Sequence, residues 1–346
     1  MFIRYGNMLP LRNLLSMSGL ASLTLFATSA LLPAGAARAA EQLTVAVIPK
    51  GTTHEFWKSI HAGAIKAQRE LESGGTKMEL IWKGPLREDD REQQIQVVEN
   101  FTGRHVSGMV LAPLDNQALV DPVETAIAAK IPVVIIDSSL KTEQTASFVS
   151  TDNYQGGAAG AERLGTLLSG KGNVLLLRYQ QGSASTEERE AGFLDTIKSK
   201  FPDIKIVSSD QHSGATRDTA YASSQNVLNR FGSQLQGVFT PNESSTAGMV
   251  LALRDAGLAG GKVKLVGFDA STPLQEAMKA GDLQGVVVQD PFNMGYLGVM
   301  TLVKSIKGEK VEKRVATPIA VVTPDNMAEP KMAELLNPPL SKYLNE

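Results

Sequence analysis

From Leu43 almost to the C-terminus, short runs rich in Val, Ile and Leu alternate with longer amphipathic segments. This rhythm is the signature of βαβ units on a parallel sheet. Leu43–Pro49 reads as the first strand and Phe56–Leu71 as the first helix, with Phe56, Ile60, Ala64, Ala67 and Leu71 on one stripe facing the sheet. Strands Met78–Trp82, Gly108–Ala112, Pro132–Ile136 and Ser147–Thr151 follow, with helices Glu88–Phe101, Ala118–Ala129 and Tyr154–Leu168 among them. A second series begins after the turn at Gly170–Asn173. Its strands are Asn173–Leu177, Ile204–Ser208, Gly237–Thr240, Lys262–Gly267 and Gly285–Val288. Its helices are Glu187–Lys200, Arg217–Asn229, Ser244–Ala256, Pro273–Ala280 and Met294–Ile306. The pattern predicts an α/β protein of two doubly wound parallel-sheet lobes. The 346 residues agree with about two domains at roughly 150 residues each.

Residues 1–39 read as a signal peptide. Arg4 and Arg12 form a positive start, and Leu14 to Ala37 carries no charge. Ala37-Arg38-Ala39 sets cleavage before Ala40, with Ala34-Gly35-Ala36 as a second option and an uncleaved anchor as the competing reading. Without that segment the chain holds 31 basic and 36 acidic groups, net -5. No basic face draws it to nucleic acid. With no Cys, thiolate catalysis, Cys zinc sites, disulfides and a lipid anchor on cysteine are excluded. Four scattered His residues offer little material for a metal site, and no cofactor is expected. Gly165-(x4)-Gly170-Lys171 imitates a phosphate loop, but Gly172 stands where Ser or Thr is required and the run joins a helix to a strand.

Ligands of doubly wound folds sit beyond the carboxyl ends of the strands. The first strand is followed by Lys50-Gly51-Thr52-Thr53-His54-Glu55-Phe56-Trp57, the fourth by Asp137, and Gly237–Thr240 by Pro241-Asn242-Glu243. Val266-Gly267 leads into Phe268-Asp269, and Val288 into Gln289-Asp290-Pro291. Aromatic faces beside short carboxylates and amides suit a polyhydroxyl ligand. Each Asp could equally cap a turn or a helix. Phe56 lies on the core stripe and Trp57 off it, which makes Trp57 the better stacking candidate.

Lys50–Ala64, Ser150-Thr151-Asp152-Asn153 with Gly156-Gly157, Val266–Asp269 and Val288–Asp290 resemble the periplasmic sugar-binding proteins of the ribose-binding type, which feed ABC transporters. The resemblance implies two lobes joined by three crossings, near Ser150–Asn153, Gln289–Phe292 and Pro318–Ala320, that close over a sugar. The N-lobe would be 42–150 plus 290–318, and the C-lobe 151–289 plus 319–346. It implies stacking by Phe56 and Trp57, a polar contact near His54, hydroxyl-binding carboxylates at Asp137 and Asp269, and amides at Asn242 and Gln289. Two arginines of that family are displaced. Ser138 follows Asp137 where an Arg is usual, and a gapless match puts Glu187 at the second position, with Arg189 two residues on. The family's aromatic beside Arg217 is replaced as well, with Ala215 there. Another pentose, a hexose or a sugar alcohol is expected in place of ribose. The expected partners are that sugar and an inner-membrane ABC permease, with a monomeric, non-enzymatic, periplasmic protein. A sensory protein presenting a sugar-like signal to a membrane receptor is the alternative, followed by an exported carbohydrate-active enzyme.

Overall fold

The computed structural model describes residues 42–344, so the signal-peptide reading lies outside the described residues. The first half contains β1 (Leu43–Ile48), α1 (Glu55–Ser73), β2 (Met78–Trp82), α2 (Arg91–Gly103), β3 (Gly108–Leu111), α3 (Val120–Ala128), β4 (Val133–Ile136) and β5 (Ser147–Thr151). Then come α4 (Asn153–Leu167), β6 (Lys171–Leu176), α5 (Ala184–Lys200), β7 (Asp203–Ser208), α6 (Arg217–Phe231) and β8 (Gly237–Phe239). The same series continues with α7 (Glu243–Asp255), β9 (Lys264–Phe268), α8 (Thr272–Lys279) and β10 (Gly285–Gln289). The last part is α9 (Pro291–Ile306), β11 (Arg314–Thr317), β12 (Ile319–Val322), α10 (Pro330–Leu336) and α11 (Leu340–Tyr343).

These strands form two six-stranded sheets, ordered β11-β5-β4-β3-β1-β2 and β12-β10-β9-β8-β6-β7. Every pairing is parallel except that of β12 with β10. Helices cover both faces of each sheet, which is why β3 and β4 are apolar and buried at every position. The two sheets have the same order, so β4 corresponds to β9 and β1 to β6. The chain passes between sheets after β5, after β10 and at Pro318 between β11 and β12.

Three local differences from the sequence reading matter for the site. Helix α2 starts at Arg91, because Asp90 caps it by accepting from Gln93 N, and Glu88 is thereby left in the preceding loop. Helix α5 starts at Ala184 in place of Glu187. Residues 319–346 do not lie wholly in the second lobe. Leu336 of α10 is buried in the second lobe's core, and Gln275 Nε2 donates to its carbonyl. Beyond Pro338 and Pro339, α11 rests on α1 of the first lobe. Arg69 Nη1 donates to the Lys342 carbonyl at 2.8 Å and its guanidinium stands over the Tyr343 ring, which also meets Phe292. This is a fourth link between lobes, and its three-residue span reaches about 10 Å at most. Removing residues 338–346 should leave the unfolding midpoint nearly unchanged and enlarge the radius of gyration of the isolated protein in small-angle scattering; an equal radius would show that α11 does not restrain the lobes.

Candidate functional site

Asp137 and Asp269 stand at corresponding positions, one residue past β4 and β9, and both have left-handed backbones with φ of 63° and 66°. In each case the backbone N–H bonds the neighbouring strand, to Val149 O at 3.1 Å and to Val287 O at 2.8 Å. Strain at two matched strand ends, in residues other than glycine, marks positions where side-chain direction matters more than backbone comfort. Asp152 and Asp290, also at strand ends, do what the capping reading expects and accept from the N–H groups of Gln155 and Asn293. Asp137 and Asp269 cap nothing and face each other across the lobes.

Each of the two carboxylates meets a buried cation. Lys50, two residues past β1, places Nζ 2.8 Å from Asp137 Oδ2. The same ammonium lies 2.6 Å from Ser138 Oγ, 3.2 Å from Ser185 Oγ and 3.4 Å from Ser183 Oγ, so it touches both lobes. Arg189 is 2% exposed, with Nη1 3.8 Å from Asp269 Oδ2, and its guanidinium stacks 3.9 Å from the centre of the Phe268 ring. Arg189 Nε donates to Asn153 Oδ1 and Nη1 to the Pro241 carbonyl, while Nη2 has no hydrogen-bond partner. Gln289 Nε2 donates to Asp269 Oδ1 at 2.7 Å, and its buried Oε1 is likewise without a partner. Burial pushes the Asp269 carboxyl up to about 6, against the opposing pull of Arg189 and Gln289. Arg189 can come this close because α4 and α5 touch backbone to backbone: a Cβ on Gly157 would lie 1.8 Å from the Arg189 carbonyl oxygen, and one on Gly192 2.0 Å from that of Tyr154.

A second polar chain crosses the cleft through Glu88. Its Oε1 accepts from Trp57 Nε1 at 2.9 Å and its Oε2 from Tyr179 OH at 3.0 Å, joining the first lobe to the second. Burial, with Glu88 as the next cause, raises the Tyr179 hydroxyl well above its usual value. His54, at the N-cap of α1, makes no capping bond; its Nδ1 lies 3.5 Å from Glu88 and 3.7 Å from Glu243. Glu243 is paired with Arg217 and accepts from Ser271 Oγ.

The structure gathers His54, Phe56, Trp57, Asp137, Arg189, Asn242, Asp269 and Gln289 around one void of about 30 Å³, room for about two waters. A larger cavity of about 350 Å³ adjoins it at Phe56, Asp269 and Gln289, walled by α8 and the C-terminal segment. Glu187 is not brought in. Its Oε1 accepts from Gly182 N at 2.8 Å, because two residues along a helix turn a side chain by about 200° and the register that buries Arg189 turns Glu187 away. The two aromatics exchange roles: Trp57 is 2% exposed within the first lobe's core, and Phe56 is half-buried at the rim, edge-on to it at 4.9 Å. Asn242 doubles as the cap of α7, with Oδ1 accepting from Ser245 N. Lys50 and Glu243, which stand in the strand-end segments without an assigned role, and Glu88 and Tyr179, which lie outside those segments, also line the void. The strand-end rule reaches Lys50 as it reaches Asp137, but the pairing of the two is visible only in the structure. Among the described residues, no group of three or more His, Asp or Glu side chains could hold a metal, and no helix is long and apolar enough to cross a membrane.

Residues 45–310 match the periplasmic binding protein domain. The chain belongs to the periplasmic binding protein family. It is 30% identical over 316 residues to the D-ribose/D-allose-binding protein of Pseudomonas aeruginosa, covering 88% of this chain and 97% of that one. Among solved structures it is similar to an ABC transporter solute-binding protein of Agrobacterium vitis with bound D-fucose, at 36% identity and a TM-score of 0.80 over 85% of this chain and 100% of that one. A carbohydrate transporter solute-binding protein of Agrobacterium radiobacter in complex with D-arabinose gives 34% identity and the same TM-score of 0.80, over 86% and 99% of the two chains. The two-lobed parallel-sheet architecture is that of this periplasmic binding protein fold.

The raised Asp269 carboxyl fixes a pH dependence. The folded chain holds this proton up to about 6 and the unfolded chain only to about 3.8, so between these values the folded state binds more protons and stability falls as pH rises. Glu190, raised to about 7 by burial, acts in the same direction. Relative to wild type, Asp269→Asn should gain up to about 3 kcal/mol between pH 4 and pH 7. Parallel unfolding curves for the two proteins across that range would disprove the burial argument.

Proposed function

We propose that this periplasmic binding protein closes its two lobes on a neutral monosaccharide or sugar alcohol in the periplasm and presents it to an inner-membrane ABC permease. The observation that carries this reading is the pair Asp137 and Asp269, one per lobe, aimed at a single void beside an unpartnered Arg189 Nη2 and Gln289 Oε1. Carboxylates accept from sugar hydroxyls, and the partnerless guanidinium nitrogen and amide oxygen supply one donor and one acceptor more. Around the void, Lys50, Arg189 and Arg217 are offset by Asp137, Asp269, Glu88 and Glu243, which leaves no positive excess for a sugar acid or phosphate. The void is smaller than a sugar ring, so loading requires the lobes and the Lys50 side chain to draw back before closing. A ligand that touches both lobes only when closed stabilises that state by its differential affinity.

The sugar would be bound without being converted, in line with the relatives, which are named as binding proteins. Residues 1–39 would direct export and be removed before Ala40, giving a soluble periplasmic chain. Calorimetry with D-ribose, D-allose, D-arabinose and D-fucose tests the reading, and heat of 1:1 binding is expected from at least one. For that sugar, Asp137→Ala and Asp269→Ala should each cost about 2 to 3 kcal/mol of affinity, roughly a hundredfold, because each removes charge-assisted hydrogen bonds in a desolvated cleft. Wild-type affinity in both variants would remove the pocket assignment.

A further inference from the structure

A cavity of about 350 Å³ lies beside the cleft and takes no part in holding a single ring between Asp137 and Asp269. Its volume falls within the roughly 300 to 1,000 Å³ of small-molecule sites, and a cavity of about 150 Å³ already admits benzene. Phe56, Asp269 and Gln289 line both spaces, so the two meet at a carboxylate that accepts from the sugar. We propose that this cavity is an aglycone site: the cleft holds the sugar ring of an alkyl or aryl glycoside, and the apolar group lies past Phe56, between α1, α8 and the C-terminal segment. The inference rests on the sugar-binding reading above and concerns what the sugar carries.

The walls of the cavity decide what it takes. Most of their polar side chains are already engaged with the protein. Glu55 Oε2 accepts from Thr272 N at 3.2 Å, Ser59 Oγ donates to the Glu55 carbonyl at 3.3 Å, and Ser271 Oγ donates to Glu243 Oε1 at 2.7 Å. Gln275 Nε2 donates to the Leu336 carbonyl and to Asn337 Oδ1, both at 3.2 Å, which also pins the C-terminal wall to α8. The surface left for a guest is largely apolar, from Phe56, Ala270, Leu335, Pro338, Pro339 and Leu340. A second sugar ring would find few hydroxyl partners there, whereas an alkyl or aryl group gains by leaving water. Substitution at the anomeric oxygen removes one hydroxyl and leaves the others to Asp137, Asp269 and the unpartnered Oε1 of Gln289. Phe56, half-buried and common to both spaces, flanks the link between ring and substituent. Glu55 and Ser59 stand on α1 of the first lobe and Gln275 on α8 of the second, so the site is complete only when the lobes are shut.

The test is calorimetry of wild type, Ser59→Leu and Ser341→Trp with the best-binding of D-ribose, D-allose, D-arabinose and D-fucose, and with the methyl and 4-nitrophenyl glycosides of that sugar in both anomers. In wild type the 4-nitrophenyl glycoside of one anomer should bind at least tenfold more tightly than the methyl glycoside of the same anomer. Ser59→Leu fills the cavity from α1 and should abolish that gain while the free sugar binds as in wild type, which also shows that the variant is folded. Ser341→Trp fills it from the exposed C-terminal wall and decides the matter should Ser59→Leu not fold. A gain below tenfold in both anomers, or one that survives the filling, overturns the aglycone site while the sugar reading stands. A wild-type chain that binds none of the sugars or glycosides overturns both.

Discussion

Two carboxylates buried at facing strand ends have to be compensated, and the cleft is organised around that requirement. An isolated buried charge is costly, and removing one partner of a buried pair is strongly destabilising. Asp137 is answered by Lys50 and Asp269 by Arg189, each cation held in turn by hydroxyls, amides or carbonyls. The two solutions differ in kind. Lys50 comes from the same lobe as its aspartate and reaches across to Ser183 and Ser185, whereas Arg189 is fixed inside its own lobe against the Phe268 ring. Lys50 and the Glu88 bridge to Tyr179 thus couple the lobes through the cleft itself, beside the contacts of Ser138 with Ser185 and of Gln180 with the Glu88 carbonyl.

The scaffold places these groups by repetition. Two sheets of the same order put β4 and β9 at matching positions, and the residue after each has the same left-handed backbone. Close contact between helices sets the finer geometry. Gly157 and Gly192 allow α4 and α5 to meet without side chains between them, and Gly63 and Gly295 do the same for α1 and α9, whose first turns carry Phe56, Trp57 and the crossing after Gln289. A methyl group at any of these four positions would push apart the helices that hold the cleft residues.

The alternation of apolar runs and amphipathic segments makes the architecture legible in the sequence, because buried parallel strands leave an almost uninterrupted apolar signature. Asp137, Asp269 and Gln289 were legible by position alone, as strand-end residues with short polar side chains. Glu88 was hidden by its neighbours: Asp89-Asp90 looks like a helix start, and only the cap formed by Asp90 shows that the helix begins later. Glu187 and Arg189 could not be separated by counting, since a helix beginning at Ala184 decides which of them turns inward. Strands β11 and β12 are four residues each and flank Pro318, too brief for a periodic signal, and the course of α11 across to α1 depends on the Arg69 contacts, which no local pattern announces.

The bridge through Glu88 gives the protein an optical property of its own. The Trp57 indole is bonded to a carboxylate that is bonded in turn to a tyrosine of the other lobe. Were the lobes to part as the proposed closure requires, that carboxylate would exchange a phenol for water, and the polarity around the indole would change even though Trp57 stays in its core. The second tryptophan, Trp82, is stacked on His61 at 4.4 Å within the first lobe and is far less exposed to such a change. Intrinsic emission would then separate into a nearly constant Trp82 background and a Trp57 signal that follows the distance between lobes, so that the unlabelled protein would report its own closure.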